Sequence, residues 1–317
     1  MVTWKFMLVS NYKAMHSLRF RRSGKRMNAV LIIGCGDIGR RLVRALPGVA
    51  VTGLVQTATS AGELRSLGVD ARQVDLDASP SVAQLPASGR EVYYFAPPPS
   101  RGDSDTRVAA VCELLQGNNL PTRLVYISTS AVYGDCAGAW IDENAPLRPG
   151  TGRGRRRLDA ERRWLRWSGQ TGVPVVILRV PGIYAHDRLP VKRLRDALPV
   201  LAEGDSPFTN RIHADDLARV CIAAMRQGQS GEAYNVSDGH PTTMTDYFNQ
   251  VADRLGLPRP PVVARAEAEH VLSASMMSFL GESKRLDNRR MCQQLGIQLT
   301  YPDLAAGLAA ADAEHAG

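Results

Sequence analysis

A chain of 317 residues is long enough for one large domain or two intimate ones, and its 44% hydrophobic and 22% charged residues are those of an ordinary globular protein. No apolar run is long enough to span a bilayer, and the cysteines at 35, 112, 136, 221 and 292 form no C-x-x-C pair and no metal-ligand spacing, which points to a reducing, cytoplasmic compartment. The net charge of +8 is concentrated in residues 1–26, which carry Lys5, Lys13, Arg19, Arg21, Arg22, Lys25 and Arg26 and no acid; the remaining 32 basic and 31 acidic residues nearly cancel, which argues against a nucleic-acid partner.

Residues 1–26 lack the apolar core and small-residue cleavage site of a secretory signal. They read as a disordered basic extension, or as a transit peptide, and the fold begins at Met27-Asn28. Ala29 to Ile33 is a short apolar run that reads as a buried strand. Gly34-Cys35-Gly36-Asp37-Ile38-Gly39 follows as a G-x-G-x-x-G loop. Ile38, Leu42, Val43 and Leu46 then recur at helical spacing until Pro47-Gly48. Strand, glycine turn and helix in this order give the loop a mechanism for binding a dinucleotide. Gly34 permits the tight turn, Gly36 lets a pyrophosphate approach the backbone, and Gly39 lets helix and strand pack closely. The N–H groups of the helix start, at Asp37 and Ile38, face the phosphates.

The second strand reads Val49 to Thr57. A site for NAD usually places an acid about twenty residues past the loop, on the ribose 2′-hydroxyl. Residues 50–62 contain no Asp or Glu, and the strand ends on Val55-Gln56-Thr57. That removes the repulsion against a 2′-phosphate, so the cofactor is NAD or NADP with a lean to NADP, and Arg65 is the nearest cation. A helix over 60–67 leads to a third strand, Ala71 to Asp77, with Asp75 and Leu76 placed for an adenine edge. The fourth strand, Glu91 to Pro99, ends in Ala96-Pro97 near the expected pyrophosphate. Helix 104–116 and a fifth strand, Leu124 to Ser128, follow and run into Thr129-Ser130-Ala131-Val132-Tyr133-Gly134. Strands alternating with helices predict an α/β, Rossmann-like, doubly wound parallel sheet, whose ligand lies at the carboxyl ends of the strands.

Residues 153–167 predict an arginine-rich helix with Leu158, Trp164 and Leu165 on its inner face. Asp159 lies four residues from both Arg155 and Arg163. Its cations read either as a solvated face or as an anion site. A sixth strand, Val173 to Val180, leads to Pro181 and Tyr184, and the less regular 185–212 carries Arg188, Arg193 and Arg195. A helix then begins near Asp215 or Asp216, a short strand spans Ala233 to Val236, and residues 243–256 are helical. Pro258-Arg259-Pro260-Pro261 is a rigid linker, and Ser283 to Gly296 is a last helix. The predicted division is a dinucleotide-binding domain over 27–180, joined by about 213–237. A smaller, discontinuous substrate part comprises 181–212 and 238–317.

Over about residues 28–305 the chain resembles an extended short-chain dehydrogenase/reductase, of the NAD-dependent epimerase/dehydratase group. The likeness rests on Gly34-x-Gly36-x-x-Gly39, Asp75-Leu76, Ser128 to Gly134, Arg179 to Tyr184, Arg211-Ile212-His213-x-x-Asp216-Leu217-Ala218, Tyr234 to Ser237, and Ser283 to Asp287. It implies a sheet that binds NAD(P), a C-terminal part that holds a small polar or sugar-nucleotide-like substrate, hydride transfer, and room for a homodimer.

The family's catalytic set is a Ser or Thr with the Tyr and Lys of Y-x-x-x-K. Thr129, four residues before Tyr133, matches the Ser or Thr. Counting back from Ala160-Glu161 puts Arg153 at the tyrosine position and Arg157 at the lysine position. Arginine has no accessible neutral form and cannot take a hydroxyl proton, so the chain resembles the atypical branch of the superfamily. Arg157 can hold a ribose hydroxyl or a phosphate, and Thr129 can hydrogen-bond a substrate oxygen. Tyr133, Tyr184 and His213 are the substitutes to consider for the acid/base, each with a packing role as the alternative. Asp216 caps its helix or pairs with Arg211 or Arg219. No cluster suggests a metal. Two functions follow: an atypical oxidoreductase or epimerase, or a non-catalytic NAD(P)-binding redox sensor.

Overall fold

The computed structural model describes residues 28–78 and 80–309. The basic extension and the start at Met27 lie outside them. Seven parallel strands form one sheet: β1 (Val30–Ile33), β2 (Val51–Val55), β3 (Asp70–Gln73), β4 (Glu91–Tyr94), β5 (Arg123–Thr129), β6 (Val175–Val180) and β7 (Ala233–Asn235). Their order across the sheet is β7-β6-β5-β4-β1-β2-β3. The order reverses beside β1, which pairs with β2 on one side (Val30 opposite Val51) and β4 on the other (Val30 opposite Glu91). Such a reversal opens a crevice at the carboxyl ends of the strands.

β1, β2 and β6 are buried along their whole length because helices cover both faces, whereas the edge strand β3 is polar. Alternate residues of β1 serve different cores. Val30 and Ile32 pack with α1 (Asp37–Arg44), α2 (Ala58–Ser66) and α5 (Ala214–Gln227), through Leu42, Leu64 and Val220. Leu31 and Ile33 pack with α3 (Thr106–Leu114) and α4 (Gly152–Thr171), through Val108, Val111 and Trp164. All four β1 side chains are fully buried, each worth about 1.5–3 kcal/mol by transfer from water. The long helix α4 is set by its ends. Thr151 accepts the N–H of Gly154 at 3.1 Å, and Gly172 closes the helix in the left-handed region at φ 74°.

A smaller buried cluster lies off the sheet. It joins Tyr184, Leu194 and Val200 to Phe248 and Val251 of α6 (Met244–Arg254) and to Leu304 and Leu308. Two expectations need correction. The third strand stops at Gln73, because Asp75 turns the chain by accepting the N–H of Asp77 at 3.0 Å. Residues 283–296 are not one helix. Arg285–Leu286 is a short strand parallel to Trp140–Ile141, and only Arg289–Gln294 is helical. The backbone of this stretch is claimed from outside: Ser283 accepts the N–H groups of Cys136 and Gly138, while Arg285 donates to Ala139 and Leu286 to Asn210 Oδ1.

Candidate functional site

The glycine loop behaves as three different demands on space. Gly34 sits at φ +84°, and a Cβ there would lie 2.4 Å from the Ala96 nitrogen. A Cβ on Gly39 would lie 2.8 Å from Cys35 Sγ, so its absence seats α1 on the sheet. At Gly36 a Cβ would meet nothing within 4 Å. That open space lies at the start of α1, whose first N–H groups no side chain caps. The arrangement suits a pyrophosphate: room at Gly36, and donors with a positive dipole end at Asp37 and Ile38. The Asp37 carboxylate itself is taken, by Arg41 at 3.1 Å and Arg188 at 2.6 Å. Burial works against its charge, yet Arg188 and Arg41 hold its pKa below the usual carboxylate value. Asp37 therefore faces the crevice with its backbone.

The other strand-end residues share this rim. Gln56 is exposed just past β2, and its carbonyl accepts the Gln73 amide at 3.1 Å. Asp75 and Leu76 form the turn after β3, and Ala96 and Pro97 follow β4 directly. Arg65 is a correction. α2 runs back toward the amino ends of the strands, so Arg65, in its last turn, donates to the Ala71 carbonyl at 3.0 Å, away from the crevice.

At the carboxyl ends of β5 and β6 a cavity of about 500 Å³ opens, walled by Thr129, Arg153 and Pro181 among others. Thr129 ends β5. Its Oγ1 accepts the Ala131 N–H at 3.3 Å, which leaves its O–H to donate. Arg153, the second residue of α4, lays its guanidinium 4.2 Å from the Phe279 ring centroid. Arg157 turns inward from the same helix. Its Nη1 reaches Ile127 O at 2.9 Å, Tyr126 Oη at 3.1 Å and Ala96 O at 3.4 Å. The arginines of α4 thus divide. Arg155 and Arg163 pair with Asp103 and Asp159 toward the surface, while Arg153 lines the cavity and Arg157 is turned in against Tyr126 and the end of β5. Gly154 between them is obligatory: a Cβ would lie 2.6 Å from Ala131 O.

Three proposed substitutes for the missing tyrosine are otherwise engaged. Tyr133 is 1% exposed; it donates to Asn235 Oδ1 at 2.7 Å and accepts from Arg179 at 2.9 Å. The short 3-10 turn at 130–133 rolls it behind the cavity wall, and burial, opposed by Arg179, pushes its pKa up to about 12. Its hydroxyl is thus committed to Asn235 and Arg179 and does not open onto the cavity. Tyr184 lines the cavity, but its hydroxyl donates to the Asp303 carbonyl at 3.1 Å and burial raises its pKa. His213 is the N-cap of α5, accepting the Asp215 N–H at 3.3 Å, with its ring against Tyr184 and Tyr301. Asp216 pairs with Arg219 at 2.9 Å, not Arg211, and accepts the N–H groups of Thr300 and Tyr301.

Sequence reasoning missed the charged wall of the cavity. Arg211, 7% exposed, bonds Thr242 Oγ1 at 2.8 Å and lies 3.8 Å from the Tyr247 ring centroid. Lys284 and Glu282 form a buried pair at 2.7 Å. Arg188 also reaches the wall while holding Asp37. Arg211 and Lys284 are brought together by Asn210, whose amide donates to Lys284 O at 3.0 Å and whose carbonyl accepts from Leu286 at 2.7 Å. The signal was the invitation to read Asn210-Arg211 and Ser283 to Leu286 as strand edges joined by a side-chain amide, and periodicity does not carry it.

Sheet order, glycine loop and cavity define a dinucleotide-binding protein of the extended short-chain dehydrogenase/reductase class. Residues 30–237 match the model of the NAD dependent epimerase/dehydratase family, and the chain belongs to that family. Its cofactor class is NAD or NADP. Protein YeeZ of Escherichia coli (strain K12) is 27% identical over 289 residues, covering 87% of this chain and 97% of that protein. The structure of a functionally unknown conserved protein from Silicibacter pomeroyi superposes with a TM-score of 0.79 at 30% identity, covering 91% of this chain and 99% of that one. A UDP-glucuronic acid 4-epimerase from Bacillus cereus in complex with NAD gives 0.72 at 21% identity, over 90% and 97% of the two chains, and shows the shared fold. Among the described residues no helix is long and apolar enough to cross a membrane.

Proposed function

We propose that the chain is an atypical NAD(P)-dependent oxidoreductase or epimerase acting on a small polar substrate. The observation that carries this reading is the placement of Thr129 on a cavity of about 500 Å³ beside the carboxyl ends of β5 and β6. Residues 27–180 with 213–237 would hold the dinucleotide, and 181–212 with 238 onward the substrate, in the cytoplasm. The pyrophosphate would lie over Gly36 against the N–H groups of Asp37 and Ile38. Asp75 and Leu76 would meet the adenine, Ala96 and Pro97 the pyrophosphate side, and Pro181 the nicotinamide. The neutral Gln56 end of β2 favours NADP. When bound, the cofactor supplies or accepts a hydride. Thr129 donates a hydrogen bond to the substrate oxygen and orients it. Arg157 offers the remainder of its fork to a ribose hydroxyl. Arg153, fixed in charge, stabilises negative charge on the substrate and moves no proton.

A second reading is favoured by the same Arg153 and by the burial of Tyr133: a cofactor-binding redox sensor without turnover. Calorimetric titration with NADH and NADPH, followed by a carbonyl and sugar-nucleotide turnover screen, separates the two. Binding of NADPH with turnover supports the enzyme. Binding without turnover supports the sensor. No binding of either nucleotide overturns both.

A further inference from the structure

Four cations reach the wall of the cavity, and they are not equivalent. Arg188 is neutralised by Asp37 at 2.6 Å and Lys284 by Glu282 at 2.7 Å. Arg153 and Arg211 are different: among the described residues neither has a carboxylate within 4 Å, and Glu282 acts on Arg153 only from beyond that distance. Each is held by an aromatic ring instead, Arg153 by Phe279 at 4.2 Å and Arg211 by Tyr247 at 3.8 Å. A ring face orients a guanidinium and leaves its N–H edge for a ligand. Arg211 is more than nine-tenths buried, and the side chains it bonds, Thr242 and Tyr247, are both neutral. A buried, unpaired guanidinium is costly unless an anion completes it. Burial lowers the Arg211 pKa to about 10, opposed by Tyr247 and by the more distant Asp238 and Asp246, so it stays cationic at neutral pH. The remaining acid of the wall, Glu282, is already committed to Lys284, and its Oε1 is buried without a partner. Phe208, Met244 and the two stacking rings give the space between an apolar lining.

We propose that the substrate is an organic dianion with two separated anionic groups on an apolar or aromatic body, one group meeting Arg211 and the other Arg153. This rests on the reading of the cavity as the substrate site. The two arginines stand on different rings of the wall, Phe279 and Tyr247, and neither is among the charges that act on the other, so a single doubly charged head would satisfy one and leave the other bare. The orphaned Glu282 oxygen is then the place for a hydroxyl or N–H donor of the same molecule.

The test is calorimetric titration of the NADPH-saturated full chain, with the dinucleotide loop already filled. The probes are benzoate, the three benzenedicarboxylate isomers, and phenyl phosphate. The best dicarboxylate should bind at least about tenfold tighter than benzoate, the gain of a second charge-assisted contact. Arg211→Met and Arg153→Met should each return that isomer to the benzoate level, and Arg211→Lys should keep part of the gain. NADPH titration of each variant reports that the dinucleotide side is intact. Equal binding of benzoate and all dicarboxylates overturns the proposal, as do arginine variants without effect. Phenyl phosphate binding tighter than every dicarboxylate overturns the two-point placement. If the wild type binds no NADPH, the oxidoreductase reading falls, and the same titrations without nucleotide still decide the anion site.

Discussion

The glycine loop and the cavity solve the problem of binding in opposite ways. The loop binds by omission: Gly34, Gly36 and Gly39 remove side chains, and backbone N–H groups do the rest. It is built from one local segment, residues 30–44. The cavity binds by provision, with charged side chains set on aromatic rings. Its wall is gathered from residues as far apart as Thr129 and Lys284. A site made of absences is readable from a short string. A site made of side chains from distant segments is not.

The sharpest way to break this contrast is to exchange charges between regions. Arg179 is buried like Arg211, but it is paired, with Glu161 at 2.9 Å. Arg179→Met should cost about 3–5 kcal/mol of stability, because it strands the Glu161 carboxylate. Arg211→Met breaks no ion pair, though it removes a cation that draws on the buried Asp238, and should cost about 1 kcal/mol, well below the Arg179 variant, read as a chemical-denaturation midpoint. Equal costs would mean that Arg211 holds the fold and not a ligand.

Next in size is Gly36→Val. A Cβ there meets no protein atom, so the melting temperature should fall far less than the affinity. NADPH affinity should fall about 100-fold, roughly 3 kcal/mol, as the side chain fills the pyrophosphate space. An unchanged affinity would reduce the loop to a structural turn.

A third probe lies between the regions. Burial raises the pKa of Asp238 to about 6, against the pull of the His240 N–H and Arg211. The folded state therefore holds the proton more tightly than the unfolded one between about pH 4 and 6. The contribution of Asp238 to stability should be greatest below that window and fall by about 3 kcal/mol as pH rises through it. Asp238→Asn should flatten that slope; a slope unchanged in the variant would assign it elsewhere. The smallest effect is expected from Tyr133→Phe. It removes two buried hydrogen bonds and should cost about 1–2 kcal/mol, with turnover unaltered. A collapse of turnover with stability intact would return Tyr133 to the chemistry.

The alternating strands and helices were legible because strands such as Val30–Ile33 and Val175–Val180 are unbroken apolar runs bounded by glycine or proline turns. Direction was harder. Arg65 follows Gln56 closely in sequence, but α2 carries it to the other end of the sheet. Tyr133 follows Thr129 by one turn, and the 3-10 geometry of 130–133 sends the two side chains to opposite sides of the wall. Residues 283–296 have helical composition, yet their backbone donors and acceptors are satisfied by Cys136, Gly138, Ala139 and Asn210. Each of these errors is tertiary: local pattern set the element or the residue type, and a distant partner decided the outcome.

The last strand of the sheet has a consequence during synthesis. β6 emerges with every side chain apolar or destined for burial, but its outer edge is covered only when β7 arrives, at Ala233–Asn235. At about 5–20 residues per second the ribosome leaves that sticky edge open for roughly 3–10 s. The nascent chain is then most vulnerable to aggregation and most in need of a chaperone, well after its nucleotide loop has been made.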